Sequence, residues 1–457
     1  MRPLRCGPIL VCLSVLSAFS TNRGLDGIWQ SEGYGNVFKI QGTRIESFQF
    51  TTTTCVKGPT AYFIGASRSA RNSEGGLFTI RDGDSADYKL LHPIGSAGEI
   101  RLDRISTLPS VCKQLTANTP AANFEVFARS FAEHYISLDL KHVNWDTLTE
   151  HARGVITPAT SPTKLFEIMK GLIEPFGDGH TGIDASAIHR EFEGFRPGGY
   201  QLTEGKAEEE FIKHKMPIIW GITDRFLSAK PRNFANGQIA YGRVGKNIGY
   251  LRILAMGGYS KHGNGEADLR ILESTLDTIL SDADLRSLVL DLRINFGGSD
   301  AIGLAIASQF ATTDYLAFTK QARNSPTDRS SFTTGQPIMV HLTSRPSFRG
   351  PIVELIGPLT QSAGETFTQA LMGRALRVIR VGENTQGLFS DTLARRLPNG
   401  WTIYLPNEVF RTKEGNAFDA VGIPPDIPVP VFAAPDIVAN RDPALAAALG
   451  QLALNSP

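Results

Sequence analysis

Gly357-Pro358-Leu359-Thr360-Gln361-Ser362-Ala363-Gly364-Glu365-Thr366-Phe367 joins an apolar strand, Ile352–Ile356, to a helix-forming segment, Glu365–Met372. A hydroxyl at such a junction stands beside the free N–H groups of a helix N-terminus, where a developing oxyanion can be bound. Two readings of Ser362 follow. It can be a nucleophile, or Ser362-x-x-Glu365 can be a capping box in which each side chain satisfies the other residue's N–H. The sequence on either side has to decide between them.

Upstream, from Gly249, strand and helix patterns alternate. Ile248–Ile253 reads as a strand, and Leu269, Leu272, Leu276 and Leu280 mark an amphipathic helix. Ser287–Leu292 is a short continuous apolar run of the kind buried on both faces of a parallel sheet. It leads through Asp291-Leu292-Arg293-Ile294-Asn295-Phe296-Gly297-Gly298-Ser299 into a helix over Ala301–Phe310. Paired glycines let a backbone approach a ligand closely; no Gly-Lys-Ser/Thr follows, so a phosphate loop is disfavoured. Strands Ile338–Leu342 and Leu376–Val381 complete an α/β core over 246–432, and the tail 433–457 carries an Ala-rich helix, Pro443–Leu454.

Before the core, residues 119–183 show apolar residues at helical spacing: Phe124, Phe127, Phe131 and Tyr135, then Leu165, Ile168, Met169 and Leu172. Residues 184–245 are less regular and read as a surface insertion with a charged helix around Glu204–His214. Residues 21–118 read as an all-β accessory module, in which short alternating runs such as Asn36–Ile40, Ile45–Phe50 and Leu77–Ile80 are separated by Gly, Asp, Ser and Asn turns.

The first 20 residues read as a secretory signal peptide: Arg2 and Arg5 precede an apolar stretch, Pro8–Phe19, that ends in small residues. Cleavage would remove both arginines and take the formal charge from +1 to −1. With 41% apolar and 20% charged residues, the composition is that of a globular protein with no electrostatic case for nucleic acid. No later stretch is long and apolar enough to span a membrane, so an exported chain, periplasmic or secreted, is expected. Export leaves Cys55 and Cys112 as a pair in an oxidising compartment, either bridged or as two buried thiols.

The motif series resembles the C-terminal processing peptidase family, which includes the tail-specific proteases and the catalytic core of tricorn protease. The resemblance rests on Asp291-Leu-Arg-x-Asn-x-Gly-Gly298, about sixty-five residues before Ser362-Ala-x-Glu365, followed by Val381-Gly-Glu-Asn-Thr-Gln-Gly387. Upstream it includes Gly177-Asp178-Gly179-His180 and Val143-Asn144-Trp145; downstream, Gly422-Ile423-Pro424-Pro425-Asp426. It covers about residues 123–430 and implies a crotonase-like α/β core. It also implies a polypeptide substrate, Ser362 as nucleophile, and an oxyanion hole from the N–H groups of Ala363 and of Gly297 or Gly298. Tail-specific proteases activate their serine with a lysine, but that position here is Leu388, and Lys413 is the only lysine after Ser362. The tricorn-like branch uses a histidine, and His180 holds that position; an unperturbed pKa near 6.5 suits a general base. Asp419 holds the place of the carboxylate that would orient the imidazole, with Asp178 and Glu365 as rivals. The relay serine of tricorn is replaced by Gly179, and 184–245 lacks the carboxylate loop of a peptide-binding PDZ domain.

The expectation is therefore a serine-type endopeptidase that needs no cofactor. No His-Glu-x-x-His or cysteine cluster suggests a metal. A silent ligand-binding protein on the same fold and a small-molecule esterase or amidase are the alternatives.

Overall fold

The computed structural model describes residues 24–65, 67–195, 209–261 and 265–454. The expected signal peptide and residues 204–208 of the charged helix expected around Glu204–His214 lie outside them, and residues 209–214 are helical. The chain is a mixed α/β protein with an all-β module at its N-terminal end. In that module the antiparallel sheet closes on itself, because Asn36–Gln41 pairs with both Gly27–Ser31 and Arg44–Phe50. Closure removes the exposed sheet edges. The alternating pattern seen in the sequence sends Trp29, Ile40, Ile45, Ile80 and Leu102 inward to form its core. A disulfide joins Cys55 to Cys112, so the module's end is tied back to one of its strands.

Three capped helices follow: Pro120–His134, Trp145–Val155 and Pro162–Ile173, with Thr119, Asn144 and Ser161 accepting N–H bonds at their starts. The apolar stripe of the first helix packs Phe127 and Phe131 against Trp145, and Tyr135 stacks on Phe176 at 5.0 Å.

The core is a seven-stranded sheet. Ile248–Ile253, Ser287–Asp291, Ile352–Ile356, Ile379–Gly382 and Ile427–Pro428 run parallel in that order. All residues of Ser287–Asp291 and Ile352–Ile356 are buried, as their continuous apolar runs require. Two departures from the sequence reading matter. Arg232–Phe234 and Ile239–Val244, expected inside an irregular insertion, are antiparallel strands of this sheet. Gly237, Gly242 and Gly245 interrupt the side-chain alternation that would have marked them. Residues 392–411, without any expected strand, supply three. Thr392–Arg396 and Thr402–Pro406 join Gly182–Ala185 and Arg190–Glu193 in a four-stranded sheet, and Glu408–Arg411 pairs with Tyr315–Ala322.

Candidate active site

Two parallel strands of the central sheet end side by side, and a short ladder carries their pairing onward. Ile294 pairs with Leu359 and Asn295 with Thr360. Two residues further along each chain stand Gly297 and Ser362. Their proximity is close enough that a Cβ on Gly297 would lie 2.6 Å from the Cβ of Ser362, so only glycine fits. Asn295 fixes the turn: its amide donates to the Ile253 carbonyl (2.9 Å), and its Oδ1 accepts the Gly297 N–H (3.0 Å). That bond occupies the Gly297 donor. Among the described residues, the Gly298 and Ala363 N–H groups have no acceptor within the protein.

Ser362 sits at the start of the helix Ala363–Met372 with φ 54° and ψ −126°. A non-glycine residue in that region carries strain of roughly 1–3 kcal/mol, a cost found at functional turns where the surroundings enforce it. Glu365 enforces it here. Fully buried, its carboxylate accepts the N–H of Ser362 (3.2 Å), Gly387 (2.6 Å) and Leu388 (2.7 Å). Burial lifts its pKa to about 7, against the hydrogen bonds that favour the charged form. The capping partner in the sequence is thus also a staple between the serine turn and the 387–388 loop.

His180 lies in the turn before strand Gly182–Ala185. Tyr135 Oη donates to Asp178 Oδ2 (2.7 Å), and Asp178 Oδ1 accepts the His180 main-chain N–H (3.0 Å). Asp178 therefore shapes the turn through the backbone and Tyr135. Burial lowers the His180 pKa, opposed by the charges of Asp178 and Asp391 and by the Ser390 backbone. The imidazole Nδ1 is buried and has no hydrogen-bond partner. Leu388, at the position of the family's lysine, packs onto this turn: a Cβ on Gly179 would lie 2.8 Å from its Cδ1. Lys413 is exposed.

Asp419 is buried, with Oδ2 unpartnered. Burial, followed by the charges of Glu365 and Asp178, raises its pKa well above the ordinary carboxyl value. The structure groups Asp419 with those two carboxyls, and no hydrogen bond joins it to His180. The carboxylate missed in the sequence is Asp391. Gly182 and Ala394 both pair with Tyr404, so His180 and Thr392 fall at one end of the four-stranded sheet, beside Asp391. Asp391 Oδ2 accepts from Lys320 Nζ (2.7 Å) and Ser96 Oγ (2.8 Å). Burial pushes the Asp391 carboxyl up, but Lys320, the Ser96 hydroxyl and His180 together keep it below its usual range. No motif marks Asp391. Asn295 lay within a motif, but its role needed coordinates. Among the described residues no cluster of His, Cys, Asp and Glu could hold a metal ion.

Residues 247–429 match the model of peptidase family S41. The chain carries a domain of this peptidase family, the one to which the motif series points. A candidate peptidase from Parabacteroides merdae shares the fold, with a TM-score of 0.59 and 23% identity over 74% of this chain and 97% of its own. Mature CPAF complexed with lactacystin (TM-score 0.49, 12% identity) covers 70% of this chain and 95% of its own. The tricorn protease (TM-score 0.43, 13% identity) covers 92% of this chain, and the match spans 45% of tricorn. No curated protein sequence matches the chain.

Proposed function

We propose that this protein is an exported serine endopeptidase in which Ser362 attacks the scissile carbonyl and His180 accepts its proton. The carrying observation is the pairing of Ser362, in a strained turn at a helix start, with Gly297, whose missing side chain admits it. The Ser362 Oγ–H proton passes to His180 as Oγ bonds to the carbonyl carbon. Negative charge develops on the carbonyl oxygen, where the N–H groups of Gly298 and Ala363 are available; losing one such donor typically costs ~3 kcal/mol of transition-state stabilisation. The same proton then goes to the departing amine, leaving an acyl-enzyme on Ser362 that water hydrolyses. The lowered pKa of His180 keeps its imidazole neutral at neutral pH, the form a base requires.

Asp391 and Asp178 supply the negative charge that supports the imidazolium. Residues 1–20 serve as the export signal, with the β module as an accessory domain to about residue 118. No helix among the described residues is long and apolar enough to cross a membrane. Ser362→Ala should abolish hydrolysis of an unstructured casein-like protein while leaving the Tm close to that of the parent. Undiminished turnover by that variant would refute the assignment.

One observation favours a second reading, a silent binding protein. His180 Nδ1 and Asp419 Oδ2 are both unpartnered, so no continuous triad is assembled. That reading predicts saturable ligand binding with no turnover.

A further inference from the structure

The β module does more than flank the core. Its 93–99 loop reaches to the glycine pair: Ser299 Oγ donates to the Gly95 carbonyl (2.9 Å), and Ser96 Oγ bonds both Lys320 Nζ (2.9 Å) and Asp391 Oδ2 (2.8 Å). Between this loop and the core lies a cleft of about 450 Å³. Ile94 and Ser96 line it from the β module, and Gly298, Lys320, Asp391 and Asn407 from the core. The cleft lining thus includes Gly298, the proposed oxyanion donor.

Asn407 is the informative residue. It is only 1% exposed, yet neither its Oδ1 nor its Nδ2 has a hydrogen-bond partner. Its main chain is satisfied, the N–H by Ser390 Oγ (3.0 Å) and the carbonyl by the Arg323 N–H (3.0 Å). The side chain therefore serves no backbone, and a buried group left unpaired on both atoms is costly enough to require a reason. A carboxamide offers one acceptor and one donor pair, the complement of another amide. Of the acidic residues around the cleft, Glu99 is paired with Arg81, and Asp391 and Glu408 are paired with Lys320.

We infer that the cleft between the β module and the core is a substrate subsite in which Asn407 pairs with an amide group of the polypeptide next to the scissile bond. This inference rests on the peptidase reading above. The amide can be an Asn or Gln side chain or a main-chain peptide group. Lys320, held between Asp391 and Glu408 and bonded to Ser96, keeps the wall from the β module in place.

The test uses the full chain, with Asn407→Leu made in the parent and in Ser362→Ala, and a peptide library of defined sequences. The leucine removes an unsatisfied polar group of similar size, so the Tm should stay the same or rise. Against the best parent substrate, kcat/KM should fall about tenfold, the worth of one hydrogen-bonded pair. The affinity of Ser362→Ala for that uncleaved peptide should fall by a similar factor. A parent preference for Asn or Gln at one position, lost in the variant, assigns the side-chain amide. A uniform loss across sequences assigns the main chain. Unchanged kcat/KM and unchanged peptide affinity in a folded Asn407→Leu protein overturn the inference, even where Ser362 proves reactive. A parent that cleaves nothing sinks the peptidase reading, and the binding arm still decides the cleft.

Discussion

At the scale of single residues, Gly297 and His180 carry the account. Gly297 has φ 78°, and a Cβ there would lie 2.6 Å from Ser362. Gly297→Ala must therefore displace the serine or the turn. Because a misplacement of about 1 Å can cost roughly 100-fold in rate, kcat/KM should drop by about two orders of magnitude, with a smaller effect on Tm. Steady-state kinetics beside a thermal melt checks this. His180 sets the pH dependence. Burial lowers its folded pKa, and the neutral form is the base, so activity should rise with pH through a midpoint below 6.5 and level off by neutrality. A kcat/KM profile with its acid limb centred above 6.5 would disagree. Ser362, Gly297 and Gly298 were legible in the sequence because strand ends, glycine pairs and helix starts are local patterns. Asp391 was not, since its closeness to His180 comes from a register shared through Tyr404, some two hundred residues away from the histidine.

At the scale of elements, the buried ion network beneath the glycine turn explains why Asp-Leu-Arg precedes it. The Arg293 guanidinium, 1% exposed, bonds Asp291 (2.6 Å) and Asp442 (2.6 Å), and Tyr250 Oη donates to Asp291 (2.6 Å). Asp442 also accepts the Leu445 N–H (3.0 Å), which anchors the C-terminal helix Pro443–Leu454 to the central sheet. Asp442→Ala leaves the arginine half-neutralised in a dry site and should cost about 3–5 kcal/mol, read from urea unfolding. A loss below 1 kcal/mol would mean that the network is not a strut. Ser287–Asp291 and Ile352–Ile356 are legible in the sequence because uninterrupted apolar runs have few other uses, whereas the short strand Ile427–Pro428 is not, and Gln336–Val340, expected in the core sheet, pairs antiparallel with Tyr315–Ala322 outside it. Thr392–Arg396 escaped notice because Arg395, 1% exposed, is buried to cap the carbonyls of Gly35 (2.9 Å) and Phe50 (2.7 Å) in the β module. Hydrophobic periodicity cannot register a strand whose inward residue is an arginine serving another module.

At the scale of the whole molecule, the candidate dyad is a product of assembly. Ser362 stands at a helix start just past the ladder that continues the central sheet, whereas His180 stands on a turn shaped by the helical region through Tyr135 and Asp178. The β module adds Ser96 to the group around Asp391, so all three parts of the fold bear on one site. The lysine of the family's other branch is replaced by Leu388, which packs against the histidine turn. The most direct test is therefore the rate at which a fluorophosphonate modifies the intact protein, compared between the parent and His180→Ala, with the adduct located by mass spectrometry. The account predicts a single adduct on Ser362 in the parent and a fall of at least about 100-fold in His180→Ala, the scale of a lost general base. Labelling of His180→Ala at the parent's rate, or an adduct at any residue other than Ser362, would contradict it.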